Sequence, residues 1–452
     1  MTNPSSKKGS RGIWGVRTPF APSKCPFFYG WVIVFAATIG SIFSIPGQTM
    51  GFSVFTDVLI EELGLTRVEL SSAYCLGTVA SGLTLPWLGR LLDRWGERRM
   101  AFASVLATGL VLFYLAKCDV LSQTLGHVLP SGIAAFAVIS IGFYMIRAAA
   151  QGVLSMTCRN AIGKWFNYKR GLALAISGIL VSFCYSFAPR GLDWMIKKYG
   201  FDGAWFVMGA LTILVMAPLA WLLFRDTPEQ DGLEMDGGKV VVKASSNPDM
   251  YIHADFTRSE AIRDYSFWVF NFTFSFYGLF ATAFTFHILS LAKEYHFENE
   301  TILSLFVPIA AISVITNLIF GSINARLRLK WLLLIMNLGC LSATLGMLFL
   351  DRYGGVWGYV LGNGIASGGF VSLTGIVFPR FYGRKHLGAI SGVNMSAMVI
   401  ASGLGPLLFG ICHHYSGSYQ WILLFSAFVP LILALLSLAA DNPQRKLDKN
   451  TK

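Results

Sequence analysis

The chain has 452 residues, of which 54% are hydrophobic and only 13% charged, and its mean hydropathy is +0.57. Soluble domains carry roughly 25% charged residues, so this composition excludes an ordinary cytosolic enzyme, a secreted disulfide scaffold and a disordered protein. A polytopic membrane protein remains, with room for roughly a dozen spans at about 20 apolar residues each.

In chain order, residues 1–27 form a polar, basic tail with Lys7, Lys8, Arg11, Arg17 and Lys24 and no acid. The first apolar run is too long for a cleaved signal peptide and reads as a span. Apolar runs predict spans at 28–57, 69–91, 99–117, 130–155, 170–194, 203–224, 266–292, 300–323, 331–350, 355–379, 387–413 and 419–440. The longest polar stretch, residues 225–265, separates two six-helix bundles at 28–224 and 266–440, and 441–452 forms a C-terminal tail. The expected fold is therefore an all-α membrane protein of twelve transmembrane helices.

The net charge of +12 fits this topology better than nucleic-acid binding, for which no soluble basic domain exists. Of 36 Lys and Arg, those on the outer side of the map are Arg67, Lys117, Arg190, Lys197, Lys198, Lys293 and Arg352, and Arg147 lies inside span four. The rest crowd the tails and inner loops, which places both termini in the cytoplasm. Every acidic residue falls in a loop, a tail or a span end. Cys25, Cys75, Cys118, Cys158, Cys184, Cys340 and Cys412 are scattered, without a CxxC, and read as small buried hydrophobes. No phosphate loop, metal-ligand set, cofactor fingerprint or catalytic triad stands out, so neither a cofactor nor an enzyme activity is expected.

Two segments repeat in register. Residues 168–178 (YKRGLALAISG) match 383–392 (GRKHLGAISG), and 197–205 (KKYGFDGAW) match 413–421 (HHYSGSYQW). They set span five against span eleven and span six against span twelve, as in a duplicated unit built for alternating access around a midplane site.

Between spans two and three stands Gly89-Arg-Leu-Leu-Asp93-Arg94-Trp-Gly96-Glu-Arg98-Arg99. Gly89 allows close helix approach, Gly96 a tight turn, and Asp93 can accept from arginines or from the N-terminus of a neighbouring helix. The cluster reads as a latch that holds two helices on the inner face. With this motif, the twelve spans and the repeat, the whole chain resembles the major facilitator superfamily. The counterpart after span eight, Gly321-Ser-Ile-Asn-Ala325-Arg326, has Ala325 where the pattern has Asp.

Tyr29-Gly30-Trp31, Arg147-Ala-Ala-Ala-Gln151-Gly152, Lys164-Trp165-Phe166, Arg225-Asp226-Thr-Pro228-Glu229, Phe267-Trp268 and Gly383-Arg384-Lys-His386 further resemble the bacterial branch of monocarboxylate porters and oxalate–formate antiporters. That resemblance implies a bacterial inner-membrane protein carrying a small organic anion, plausible as a monocarboxylate, by proton symport or anion exchange. Members of that branch set an Arg in span eight or a Lys in span eleven against the carboxylate, and both spans lack a central cation here.

Arg147 is the expected carboxylate anchor, the alternatives being a helix-packing arginine satisfied by carbonyls and water or a role in coupling, because an arginine inside a span is costly unless it meets protein, water or an anion. Gln151, Ser44, Gln48, Asn271, Tyr277, Thr282, Asn363 and Asn394 are candidates to line the site, Ser44 and Gln48 sharing a helix face. His287 in span seven is the candidate proton carrier. Expected partners are the bilayer, a carboxylate and protons, with the chain a monomer. The alternatives are a neutral or drug-like cargo, or a solute sensor on a transporter scaffold.

Overall fold

The computed structural model describes residues 14–15, 18–238, 250 and 252–449. Most of the expected basic tail lies outside the described residues. Among those described there are helices, turns and no strand. Among the described residues, nine helices are long and apolar enough to cross a membrane. One of them, Arg170–Leu223, contains spans five and six folded about Gly200, whose φ of 75° breaks the helix. Span one, Gly30–Phe43, is short, and span two, Arg67–Trp95, carries charges at its ends. Together these are the twelve spans of an integral multi-pass membrane protein. Leu214, Phe425 and Leu435 are among many large apolar side chains exposed on the outer surface, where lipid replaces water.

Two spans and one connection differ from the sequence reading. Span one does not run to residue 57. Pro46 cannot donate its backbone nitrogen, and the helix gives way to a 3₁₀ turn at Ile45–Gly47 and short helices at Thr49–Ser53 and Thr56–Leu63. Span four runs on past residue 155 to Trp165, through a π-helical stretch at Arg147–Leu154. The segment between spans three and four holds a further helix, Cys118–Gly126. Span two starts at a capping box, in which Thr66 Oγ1 accepts from the Glu69 N–H and Glu69 accepts from the Thr66 N–H at 2.8 Å.

The halves meet along spans two and eleven and along spans five and eight. Both seams are built on glycine. A Cβ on Gly89 would lie 2.2 Å from the Gly388 carbonyl oxygen, and one on Gly171 would lie 2.2 Å from that of Gly321. These contacts lie on the face that carries both ends of the described chain, here the terminal face.

Candidate functional site

With the terminal face closed, a cavity of ≈ 800 Å³ lies between the halves. Asp57, Arg67, Pro189 and Phe286 line its mouth on the opposite face, and Ile162, Leu174 and Met395 lie at its floor. The mouth residues Asp57 and Arg67 pair with each other at 2.6 Å and are exposed.

The wall of the first half is polar. Ser44 Oγ lies 3.0 Å from Tyr185 Oη, Gln48 Nε2 donates to Ser44 Oγ at 3.2 Å, and Ser155 Oγ donates to Ser44 Oγ at 3.2 Å. Gln48, Gln151, Ser155 and Tyr185 face the cavity, and Ser44 stands fully buried behind them. Below them is Arg159, half-buried and lining the cavity. Its Nη2 donates to Met395 Sδ at 3.0 Å across the two halves. Arg159 forms no ion pair among the described residues, and a thioether is a weak acceptor.

Arg147, the expected anchor, does not line the cavity. It is 2% exposed, donates from Nη1 to the Gly47 carbonyl at 3.2 Å and lies over the Tyr74 ring at 5.2 Å. The break at Pro46 leaves span-one carbonyls without helical partners, and Arg147 binds one of them. Its place is the packing of the broken span one against span four, where a Cβ on Gly47 would lie 2.7 Å from Ala150 Cβ and 2.8 Å from the Ile146 carbonyl oxygen.

Of the other expected lining residues, Gln48, Gln151 and Thr282 face the cavity. Asn271, Asn394, Asn363 and Tyr277 do not. Asn394 Nδ2 donates to Asn271 Oδ1 at 2.7 Å, tying span seven to span eleven, and Asn363 Nδ2 donates to Tyr359 Oη at 3.1 Å. Tyr277 packs on the Phe370 ring at 4.9 Å. A buried amide in lipid surroundings needs a partner, and these find it in protein. His287 is held at both ring nitrogens, by the Pro406 carbonyl at 2.9 Å and Tyr419 Oη at 3.0 Å. It joins spans seven, eleven and twelve away from the cavity.

On the terminal face, Asp93 accepts from the Gly388 and Ala389 N–H groups at 2.6 and 2.7 Å. These belong to the first turn of span eleven, Leu387–Ser416, where the helix dipole favours a carboxylate. Gly96, with φ of 82°, turns span two into span three. Arg98 stays within the first half, donating to the carbonyls of Trp221, Gly15 and Thr18 at 2.8, 3.1 and 2.7 Å. Arg94 and Arg99 are exposed, Arg99 lying 5.8 Å from the Trp14 ring centre.

Two cross-half features were not read from the sequence. Arg384 donates to the Lys164 carbonyl at 2.7 Å and pairs with Glu229 at 2.7 Å. In the second half Asn324 sits beside Gly171 and accepts from Arg380, so an amide stands next to Ala325, where the motif has its acid.

The Major Facilitator Superfamily profile matches residues 37–362 and 313–452. The chain belongs to this superfamily of membrane transporters. It is 23% identical over 199 residues to a chloramphenicol resistance protein of Pseudomonas aeruginosa, covering 42% of this chain and 43% of that protein. It is 24% identical over 226 residues to the uncharacterized MFS-type transporter YhjX of Escherichia coli K12, covering 49% and 48%. The chain thus spans about half the length of the curated relatives it matches. A bacterial homologue of the iron transporter ferroportin, solved in an outward-facing state, superposes with a TM-score of 0.63 at 13% identity, covering 90% of this chain and 99% of that one. At that identity the likeness concerns the fold.

Proposed function

We propose that this chain is a secondary transporter that moves a small organic anion, with Arg159 rather than Arg147 as its anchor. The observation that carries the reading is the placement of Arg159 at the cavity floor, with a thioether as its one side-chain hydrogen-bond partner among the described residues. A carboxylate there makes charge-assisted hydrogen bonds in place of that contact. Ser155 and Gln151, one and two helix turns away on the same wall, orient the anion. With 28–224 and 266–440 as the two moving units and both termini in the cytoplasm of a bacterial inner membrane, the conformation described is open to the outside.

Away from the mouth, no carboxylate lines the cavity among the described residues. A coupled proton then travels on the cargo as the free acid, or the protein exchanges one anion for another. The test is uptake into proteoliposomes of a monocarboxylate and of its neutral amide by the wild type and by Arg159→Gln. The reading requires acid uptake by the wild type and its loss in the variant. Equal uptake by both proteins overturns it.

A second reading keeps the transporter and changes the cargo to a neutral, drug-like compound. The apolar side of the cavity and the chloramphenicol resistance relative favour it. Uptake of the amide with no uptake of the acid would establish it.

A further inference from the structure

Resting on the organic-anion reading above, we infer that the cargo is an amphipathic monoanion with an apolar body of about aryl size. Its carboxylate sits on Arg159 and its body lies against Phe370, Met395, Met398 and Val399 of the second half. The cavity has two chemically different sides. The first half presents the amide of Gln151, the hydroxyls of Ser155 and Tyr185, and Arg159. Facing them, the second half presents an aromatic ring, two thioethers and a valine. The hydroxyls deep on that side, Thr374 and Ser402, already donate to carbonyls of their own helices at 2.7 and 2.9 Å.

Charge limits the cargo to one carboxylate. Among the described residues, the cations lining the cavity are Arg159 and Arg67, and Arg67 is paired with Asp57 at the mouth. A second carboxylate placed against the second-half wall would face sulfur and hydrocarbon, where an unpaired charge is strongly disfavoured. Size sets the body. A cavity of ≈ 800 Å³ falls within the roughly 300–1,000 Å³ that holds drug-sized ligands, far more than a two-carbon anion fills. Methionine is unbranched and adapts to apolar groups of varied shape, which suits a class of bodies rather than one. Arg159 belongs to the first half and Met395 to the second, 3.0 Å apart. An anion with an apolar body bridges both halves, and this lets binding bias their relative position.

The test measures binding to the full chain in nanodiscs for acetate, 3-phenylpropionate, 3-phenylpropionamide, oxalate and succinate. Variants Arg159→Gln and Met398→Asn are run in parallel. The inference expects 3-phenylpropionate to bind at least about tenfold more tightly than acetate and more tightly than either dicarboxylate. Met398→Asn should remove most of that gain. Acetate, oxalate or succinate binding as tightly as 3-phenylpropionate overturns the amphipathic cargo and leaves the anion reading standing. The amide binding as tightly as the acid, with Arg159→Gln unchanged, overturns the anion reading itself, as does a lack of binding by every acid.

Discussion

Asp236 and Asp255, both in the segment between the two halves, perform the same task, one on each half. Asp236 accepts from the N–H groups of Asn167, Tyr168 and Lys169 at 3.2, 2.8 and 3.0 Å. Asp255 Oδ1 accepts from those of Arg384 and Lys385 at 2.7 and 3.1 Å. These are the turns that enter spans five and eleven, the elements matched by the sequence repeat. The central segment thus holds equivalent turns in the two bundles, as a symmetric strap. Asp236 is buried and Asp255 exposed, so the two are not equal in energy. Asp236→Ala should cost about 1–3 kcal/mol by stranding buried donors, and Asp255→Ala less. Melting temperatures in detergent, with hydrogen exchange of residues 166–170, would show it. Unaltered exchange there in Asp236→Ala would rule out the strap.

The sequence made the spans and the contact of Asp93 with a helix N-terminus legible because both follow from local chemistry. Apolar runs set by bilayer thickness and a carboxylate beside a turn glycine need no knowledge of neighbours, and Asp93 meets span eleven through general dipole physics. The cavity arginine, Arg159, was not legible for the same reason. The apolar run of span four ends where Arg159 and Lys164 begin, so hydropathy assigns them to a loop. In the structure the helix continues, because Arg159 faces the cavity and Lys164 finds Glu97 in span three at 2.5 Å. Arg147 lies well inside the run and draws attention, yet its partner is a carbonyl freed by Pro46 a hundred residues earlier. A signal was available in that proline: a broken span needs a donor, and a buried arginine in the next half-turn of packing supplies one.

The two arginines therefore predict opposite phenotypes. Arg147→Gln should lower thermal stability while the protein that remains folded keeps its apparent affinity for cargo, since Gly47 loses its donor and the cavity loses nothing. Arg159→Gln should leave the melting temperature of the unliganded protein nearly unchanged and abolish anion-induced stabilisation, which for wild type at a hundredfold excess over Kd is about 2.7 kcal/mol. Thermal shift with and without a carboxylate separates the two. A stable Arg147→Gln with weakened affinity would return the anchor to Arg147.

Closure of the terminal face depends on backbone contact at Gly89 and Gly388. A Cβ on Gly388 would lie 2.5 Å from the Gly89 carbonyl oxygen and 2.7 Å from Asp93 Oδ1. Neither a backbone oxygen nor a carboxylate bound at two N–H groups yields easily. Gly388→Val should therefore wedge spans two and eleven apart and populate the conformation open on the terminal face. Spin labels across that seam, read by double electron–electron resonance, should lengthen their distance in the variant. A distance distribution identical to wild type would show that the seam accommodates the side chain.

Asp231, in the segment after span six and outside the membrane, carries a pH signature. Burial pushes its carboxyl up to about 6 against the opposing pull of Arg225, and Asp226 adds to the rise. A raised carboxyl binds its proton more tightly folded than unfolded, so its stabilising contribution is complete below about pH 4 and is lost as the pH rises through 6. Asp231→Asn should then raise the melting temperature at pH 7.5 and make no difference near pH 4. An equal effect at both pH values would show that packing, not ionisation, governs the site.

The buried pair Glu97–Lys164 presents the sharpest energetic contrast. Glu97 is fully buried, and its Oε2 has no partner among the described residues. Lys164 meets Glu97 through its side chain, while its carbonyl accepts from Arg384 of the other half. Removing one member leaves an uncompensated buried charge, at a cost of about 3–5 kcal/mol, whereas replacing both by apolar groups of similar volume is often neutral. Glu97→Gln and Lys164→Met should each lower the melting temperature sharply, and the Glu97→Leu/Lys164→Met double variant should recover most of it. The Arg384 contact to the Lys164 carbonyl survives all three changes, so the double variant should also close on the terminal face. Should the double variant melt as low as the singles, the pair stabilises the fold beyond its desolvation cost and is a net source of stability at the seam.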